Sequence, residues 1–147
     1  MPNSETHKII GALAGLASLH FLPPLSPGGG SATLVGRVAG GVVGGLLPDR
    51  LEPATSPRHR STCHSAAAGG MALTVLEAAR KIEAYLQSKS AEMRCGAQGQ
   101  CDAVLKFLQK LAAWVVEFLG GAAVGVVAGY LSHLVADMFT PARIPVV

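Results

Sequence analysis

Charge is scarce in this chain. Asp, Glu, Lys and Arg together make up 14% of its 147 residues, against roughly 25% in an ordinary soluble domain. Aromatic residues are rarer still, at 5%, and the formal net charge is only +3. No basic stripe interleaved with stacking rings can be built from that, so a nucleic-acid partner is not expected. The three cysteines include no C-x-x-C pair, which excludes a structural zinc knuckle. Strict apolar–polar alternation is missing too, and the Val-rich runs are diluted by Gly and Ala, so no strand signal competes. What fills the chain instead is apolar: 50% of residues are hydrophobic and 18 are Gly, with mean hydropathy +0.41. Such a composition points to a membrane or its surface, with a very apolar soluble bundle as the other solution. The length suits a single domain, taken as residues 1–147.

Helical periodicity accounts for most of the sequence. Residues 8–22 predict a first helix, with Ser4 or Thr6 as its N-cap and Pro23-Pro24 as its stop. It is short for a full crossing, which takes ~20 apolar residues. Glu5 precedes it, Lys8 is its one positive charge and no A-x-A site follows, so it is expected to be retained and not cleaved as a signal peptide. Residues 32–47 form a second apolar helix, interrupted by Arg37. Gly36, Gly40 and Gly44 recur every four residues, and Gly41 and Gly45 repeat the spacing one position on. A face of small residues lets another backbone close on it. Residues 65–87 begin apolar and become amphipathic, with Ser65 placed to cap them. Residues 88–102 are the most hydrophilic stretch and read as a loop, in which Cys95 and Cys101 either pair or stay free. From Asp102 a last helix runs to near Phe139, ahead of Pro141, and carries Gly121, Gly125 and Gly129. The expected fold is all-α, a bundle of four to five apolar helices embedded in a membrane. Arg37 is costly in lipid. Either it faces the bundle interior, toward Glu117, or its helix does not fully span.

Against this background one polar segment stands apart, LLPDRLEPATSPRHRSTCHS, residues 46–65. It gathers Asp49, Glu52, His59, Arg60, His64 and Ser65. Far along the chain, His133 and Asp137 are four residues apart in a predicted helix and share one face. Short connections favour helices that alternate up and down. His7 at the start of the first helix, Asp49 at the end of the second, His64 at the start of the third and His133 with Asp137 at the end of the last then fall at one end of the bundle. Histidine and carboxylate suit zinc or another divalent first-row metal. His7, Asp49, His59, His64, His133 and Asp137 are therefore the expected metal ligands. Six donors exceed one tetrahedral shell and suit one or two ions, zinc first with Mn or Mg as alternatives, Asp49 bridging if there are two. Such a site activates water and clamps a phosphoryl group. Asp49, Glu52 and Arg60 are the expected catalytic residues, Arg60 and Arg50 being placed to grip a phosphate oxygen. His20, alone on an apolar face, is given no role, and Cys63 is taken as a bystander.

Thr6-His7, then Leu46-Leu47-Pro48-Asp49, then His59-Arg60 with His64-Ser65, then Gly129-Tyr130-Leu131-Ser132-His133-Leu134 with Asp137 and Thr140 occur in this order. Together they resemble the YdjM-like family of inner-membrane-associated, metal-dependent hydrolases, over nearly the whole chain. The resemblance implies a multi-helix membrane protein with a hydrolase-like metal site. More distantly, the order His, Asp, His, H-x-x-x-D is similar to the zinc-dependent phospholipase C and P1 nuclease group, all-α enzymes that cleave phosphodiesters. That likeness implies His7, Asp49, His59 or His64, His133 and Asp137 as ligands. Leu51 stands where the YdjM-like pattern often has a second acid, and Cys63 where it usually has Thr. The chain ends soon after Thr140, so a later helix is not expected. No second H-x-x-x-D or H-x-x-x-E occurs, which argues against a three-zinc cluster.

The function expected from all this is a membrane-bound metal-dependent hydrolase that cleaves a phosphoester, with a membrane lipid headgroup as substrate. The alternative is a non-catalytic membrane protein whose metal staples helix ends or binds a partner; a soluble phosphodiesterase ranks third. Lys8, Arg50, Arg58, Arg60 and Arg143 lie on the proposed site side, opposite an uncharged 23–31 loop. By the positive-inside rule these charges turn the site to the cytoplasmic side of the inner membrane, against the Lys and Arg that residues 80–110 carry on the other side.

Overall fold

Four helices follow one another in the computed structural model, which describes residues 4–25, 30–52, 63 and 65–139. They are α1 (Ser4–Phe21), α2 (Ser31–Leu51), α3 (Ala66–Gln98) and α4 (Ala103–Met138). No strand occurs among the described residues, and the all-α expectation holds. The starts of α2, α3 and α4 show where their first amides find partners. The Ser65 hydroxyl accepts from the Ala68 amide at 3.1 Å, as its position predicted. Asp102 accepts from Val104 and Leu105 at 2.8 and 3.0 Å. α2 begins at Gly30, which has no side chain to cap with. Glu117 of α4 does the work from across the bundle: its Oε1 accepts from the Gly30 amide at 2.6 Å and from the Thr33 hydroxyl at 2.9 Å.

Three expected boundaries are corrected. α1 already begins at Ser4, so Ser4 and Thr6 lie inside the helix and do not precede it as caps. The hydrophilic stretch 88–102 is not a loop, because α3 continues through Gln98 and only 99–102 connect it to α4. Ala, Glu, Met and Arg favour helix there. Ser90 and Ala97 are buried along it, and Arg94 pairs with Glu117. α2 likewise runs past residue 47 to Leu51, with Pro48 inside it and the Glu52 amide donating to the Pro48 carbonyl at 2.9 Å. Asp49 is thereby held on a helical turn.

Glycine sets how closely the helices pack. Gly36, Gly40 and Gly44 of α2 face the carbonyls of Phe118, Ala122 and Val126 on α4. Gly121, Gly125 and Gly129 of α4 answer against the carbonyls of Thr33, Arg37 and Gly41. On its other side α2 meets α1 through Gly41 and Gly45, opposite Gly11 and Gly15. A Cβ added at any of these glycines would sit under 3.0 Å from backbone atoms of the facing helix. The two glycine rows of α2 therefore serve two different neighbours. α3 packs along α4 and makes no close backbone approach to α2. Side chains bridge that gap instead.

The strongest bridge is Arg37. Its Nε and Nη2 donate to the two oxygens of Glu83 at 2.8 and 2.6 Å, while Nη1 donates to the carbonyls of Ser18 and Leu22 at 2.7 and 2.8 Å. Arg37 thus faces the interior, but its partner is Glu83 and not Glu117, which pairs with Arg94. Residue and partner are 0% and 1% exposed. The molecule is apolar outside and ionic inside. Ile9, Leu13, Val43, Phe107 and Leu119 are all more than half exposed, while Arg37, Glu83, Glu117, His133 and Asp137 are buried. Water would not favour that distribution; lipid does. α2 and α4 are long and apolar enough to cross a bilayer.

Candidate metal centre

At one end of the bundle the start of α1 meets the ends of α2 and α4. There the ligand atoms of His7, Asp49 and His133 all lie within 4.8 Å of one another. His7 Nε2 is 4.0 Å from Asp49 Oδ2, and His133 Nε2 is 3.6 Å from Asp49 Oδ1. Asp137, one turn beyond His133, brings Oδ2 to 3.4 Å from the same Nε2. The two imidazoles stack with centroids 3.9 Å apart and planes at 23°. Both histidines are buried, whereas the Asp49 side chain is 39% exposed. The group therefore opens toward solvent at Asp49.

The arrangement follows from local sequence. His7 sits in the first turn of α1, beside the Gly11–Gly45 contact, with its carbonyl 2.5 Å from where a Gly45 Cβ would be. That glycine brings α1 and α2 together at this level. Gly45 also supplies what no motif predicts: its carbonyl lies 2.7 Å from His133 Nδ1. With Nδ1 donating there, the lone pair of the neutral ring is on Nε2, turned toward Asp49 and Asp137. Histidines that bind metals are ordinarily held in this way.

The donor set fits a divalent ion. With Zn–N bonds of about 2.0–2.1 Å, two ligands across a tetrahedral angle are about 3.3 Å apart. The separations of 3.4 Å (His133–Asp137), 3.6 Å (His133–Asp49) and 4.0 Å (His7–Asp49) run from about that value to about 0.7 Å beyond it, so an ion would have to draw His7 and Asp49 together. Two nitrogens with one or two carboxylates form an N/O set that suits zinc and other first-row divalents.

Of the six expected ligands, His7, Asp49 and His133 come together and Asp137 adjoins them. His59 and His64 lie outside the described residues, as do Arg60 and Thr140. Glu52 stands just past α2, as its C-cap. Leu51, at the position where the family pattern often has an acid, is 59% exposed. Arg50 is exposed beside Asp49, and His20 is exposed next to Phe21, remote from the group. Burial, with Glu52 adding to it, pushes the Cys63 thiol up. Cys63, Cys95 and Cys101 are all free. Sequence reasoning missed Tyr130, whose hydroxyl donates to the Cys63 carbonyl at 2.5 Å one turn before His133. It belongs to the quoted motif, but nothing in its spacing reveals that partner.

A helical bundle with an apolar exterior, charge locked inside and a His/Asp group at one end defines a helical membrane protein with a candidate metal centre. Comparison with known families agrees. The chain belongs to the YdjM inner membrane protein family, whose profile matches residues 1–147. No curated protein and no solved structure matches it.

Proposed function

We propose that this protein is a membrane-bound hydrolase that uses a divalent metal, zinc first, to cleave a phosphoester, with a lipid headgroup as the substrate. The observation that carries this is the convergence of His7, Asp49 and His133 from three helices, with His133 held by Gly45 so that Nε2 faces the group. A divalent ion bound there supplies Lewis acidity, acidifies water and offsets phosphoryl charge. The chain's own residues do the rest. Buried His7 and His133 form one wall, and partly exposed Asp49 stands on the side where substrate would enter. Arg50, exposed next to Asp49, and Arg60 are the cations to hold the phosphate oxygens. Glu52, three residues beyond Asp49, is the candidate proton acceptor.

A second reading has its own support. The same group joins α1, α2 and α4, so an ion there would also staple three helix ends without chemistry. One variant separates the two. Detergent-purified wild type is expected to carry zinc by elemental analysis and to hydrolyse a phosphodiester such as bis-p-nitrophenyl phosphate. His133→Ala is expected to lose both, by more than the ~100-fold that even an outer-shell partner can be worth. Zinc without hydrolysis in the wild type, and only a lowered melting temperature in the variant, would leave the staple.

A further inference from the structure

Because α3 stands away from α2, a groove runs between them over α4. Its volume is about 380 Å³, and Leu47, Met71, Ala72, Val75, Val127 and Tyr130 line most of it. Its wall is almost wholly apolar. It opens sideways, since Met71 and Val75 on its α3 rim are 69% and 53% exposed among the lipid-facing residues. On α4 the groove and the metal centre share one face. Val126, Tyr130, His133 and Asp137, spaced four, three and four residues apart, form one stripe of α4, so Tyr130 is about 4.5 Å of helix rise from His133. The lower end is closed by the buried layer of Ala79 and Val124, with the Arg37–Glu83 pair also spanning the gap between α2 and α3. From Ser65 to Val75 the groove descends ten residues of α3, about 15 Å.

We propose that this groove holds one acyl chain of a phospholipid whose phosphoester lies at the His7–Asp49–His133 group. The headgroup end of the proposal rests on the hydrolase reading above; the tail end rests on the groove. An apolar, blind, laterally open slot beside a polar centre matches an amphiphile. A single hydrocarbon chain is apolar along its whole length, as the groove wall is, and is narrow enough to lie along a slot of about 380 Å³. The closed lower end sets a limit on how much chain enters.

The test uses the full chain in vesicles of phosphatidylethanolamine and phosphatidylglycerol, the latter doped with a phosphatidylglycerol bearing a diazirine on one acyl chain. After illumination, peptide mapping is expected to place adducts on Met71, Val75 and Val126–Val127 about tenfold above Leu13 and Leu119, an enrichment worth ~1.4 kcal/mol. Ala72→Trp, which fills the groove, is expected to remove that enrichment while leaving Leu13 adducts and zinc content unchanged. Val75→Trp at the exposed rim does the same if Ala72→Trp fails to fold. Even labelling around α3, enrichment that survives both tryptophans, or cross-links between two copies at Met71 would overturn the proposal. Groove adducts in a wild type that binds no zinc and hydrolyses nothing would remove the hydrolase reading and leave the acyl site standing.

Discussion

His133 shows how much one residue's role depends on its second nitrogen. Without the Gly45 carbonyl at 2.7 Å, the ring could turn its donor into the group as readily as its lone pair. Arg37 makes the opposite point, because all its bonds serve cohesion. It joins the last turn of α1 to α2 and α3 in a place with no water to replace a lost partner. Glu83→Ala leaves a buried unpaired guanidinium and is expected to cost about 3–5 kcal/mol. Replacing both partners together, by Met at 37 and Leu at 83, is expected to recover most of the loss. Thermal unfolding in detergent checks this, and equal losses in the single and double variants would contradict it. For Cys63 the sign of the shift decides. A thiol pushed up by burial carries less thiolate at a given pH, so it alkylates slowly and accelerates only as pH rises toward its raised value. At pH 7.5, exposed Cys95 and Cys101 are expected to react with iodoacetamide about tenfold faster than Cys63. Mass spectrometry of the three peptides over time reads that order directly.

Between helices, glycine is both contact and constraint. The α2–α4 seam alternates so that each glycine faces a carbonyl of its partner, and no Cβ fits at any of the six positions. Gly125→Ala is expected to force the helices apart at a cost of about 1–3 kcal/mol, as overpacking does in other close-packed interiors. Gly70 is the control: nothing lies within 4 Å of a Cβ built there. Gly70→Ala is expected to stabilise α3 by about 0.5–1 kcal/mol through backbone entropy. Melting temperatures of the pair should move in opposite directions. A loss at both positions would mean that glycine serves something other than close approach.

At the scale of the molecule, the helices differ in length in a way that fits a bilayer. α1 has 18 residues and α2 has 21, whereas α3 and α4 have 33 and 36. At 1.5 Å per residue, α3 and α4 reach about 50 Å, well beyond a hydrocarbon core of about 30 Å. Their paired ends form a hairpin tip remote from the metal centre, carrying Lys89, Glu92, Arg94, Lys106 and Lys110. Cys95 and Cys101, both exposed on that tip, report which side it occupies. If the metal centre faces the cytoplasm, as expected from the charges around it, a membrane-impermeant maleimide is expected to label both cysteines in intact cells with an opened outer envelope. Labelling only after lysis would reverse the orientation. It would leave the metal centre itself untouched.

Much of this was legible from residue order. Where the helices lie follows from periodicity and capping residues, which are local. That His7, Asp49, His133 and Asp137 share one end follows from counting short reversals, which is topology and needs no coordinates. The rotation and stagger of neighbouring helices were not legible. Both Glu83 and Glu117 were available acids for Arg37, and only the packing of α3 on α4 brings Glu83 to it. Residues 88–98 look like a loop because hydropathy cannot separate a solvated helix from a solvated turn; the Arg94–Glu117 contact, 23 residues apart, does so. Glu117 caps α2 from another helix, and Gly45 orients His133 through its main chain, so neither leaves a side-chain signature. The groove beside the metal centre is a space and not a residue. It exists because glycine draws α2 against α4 while α3 has no such row to close with, and spacing between helices is a property that only the assembled bundle possesses.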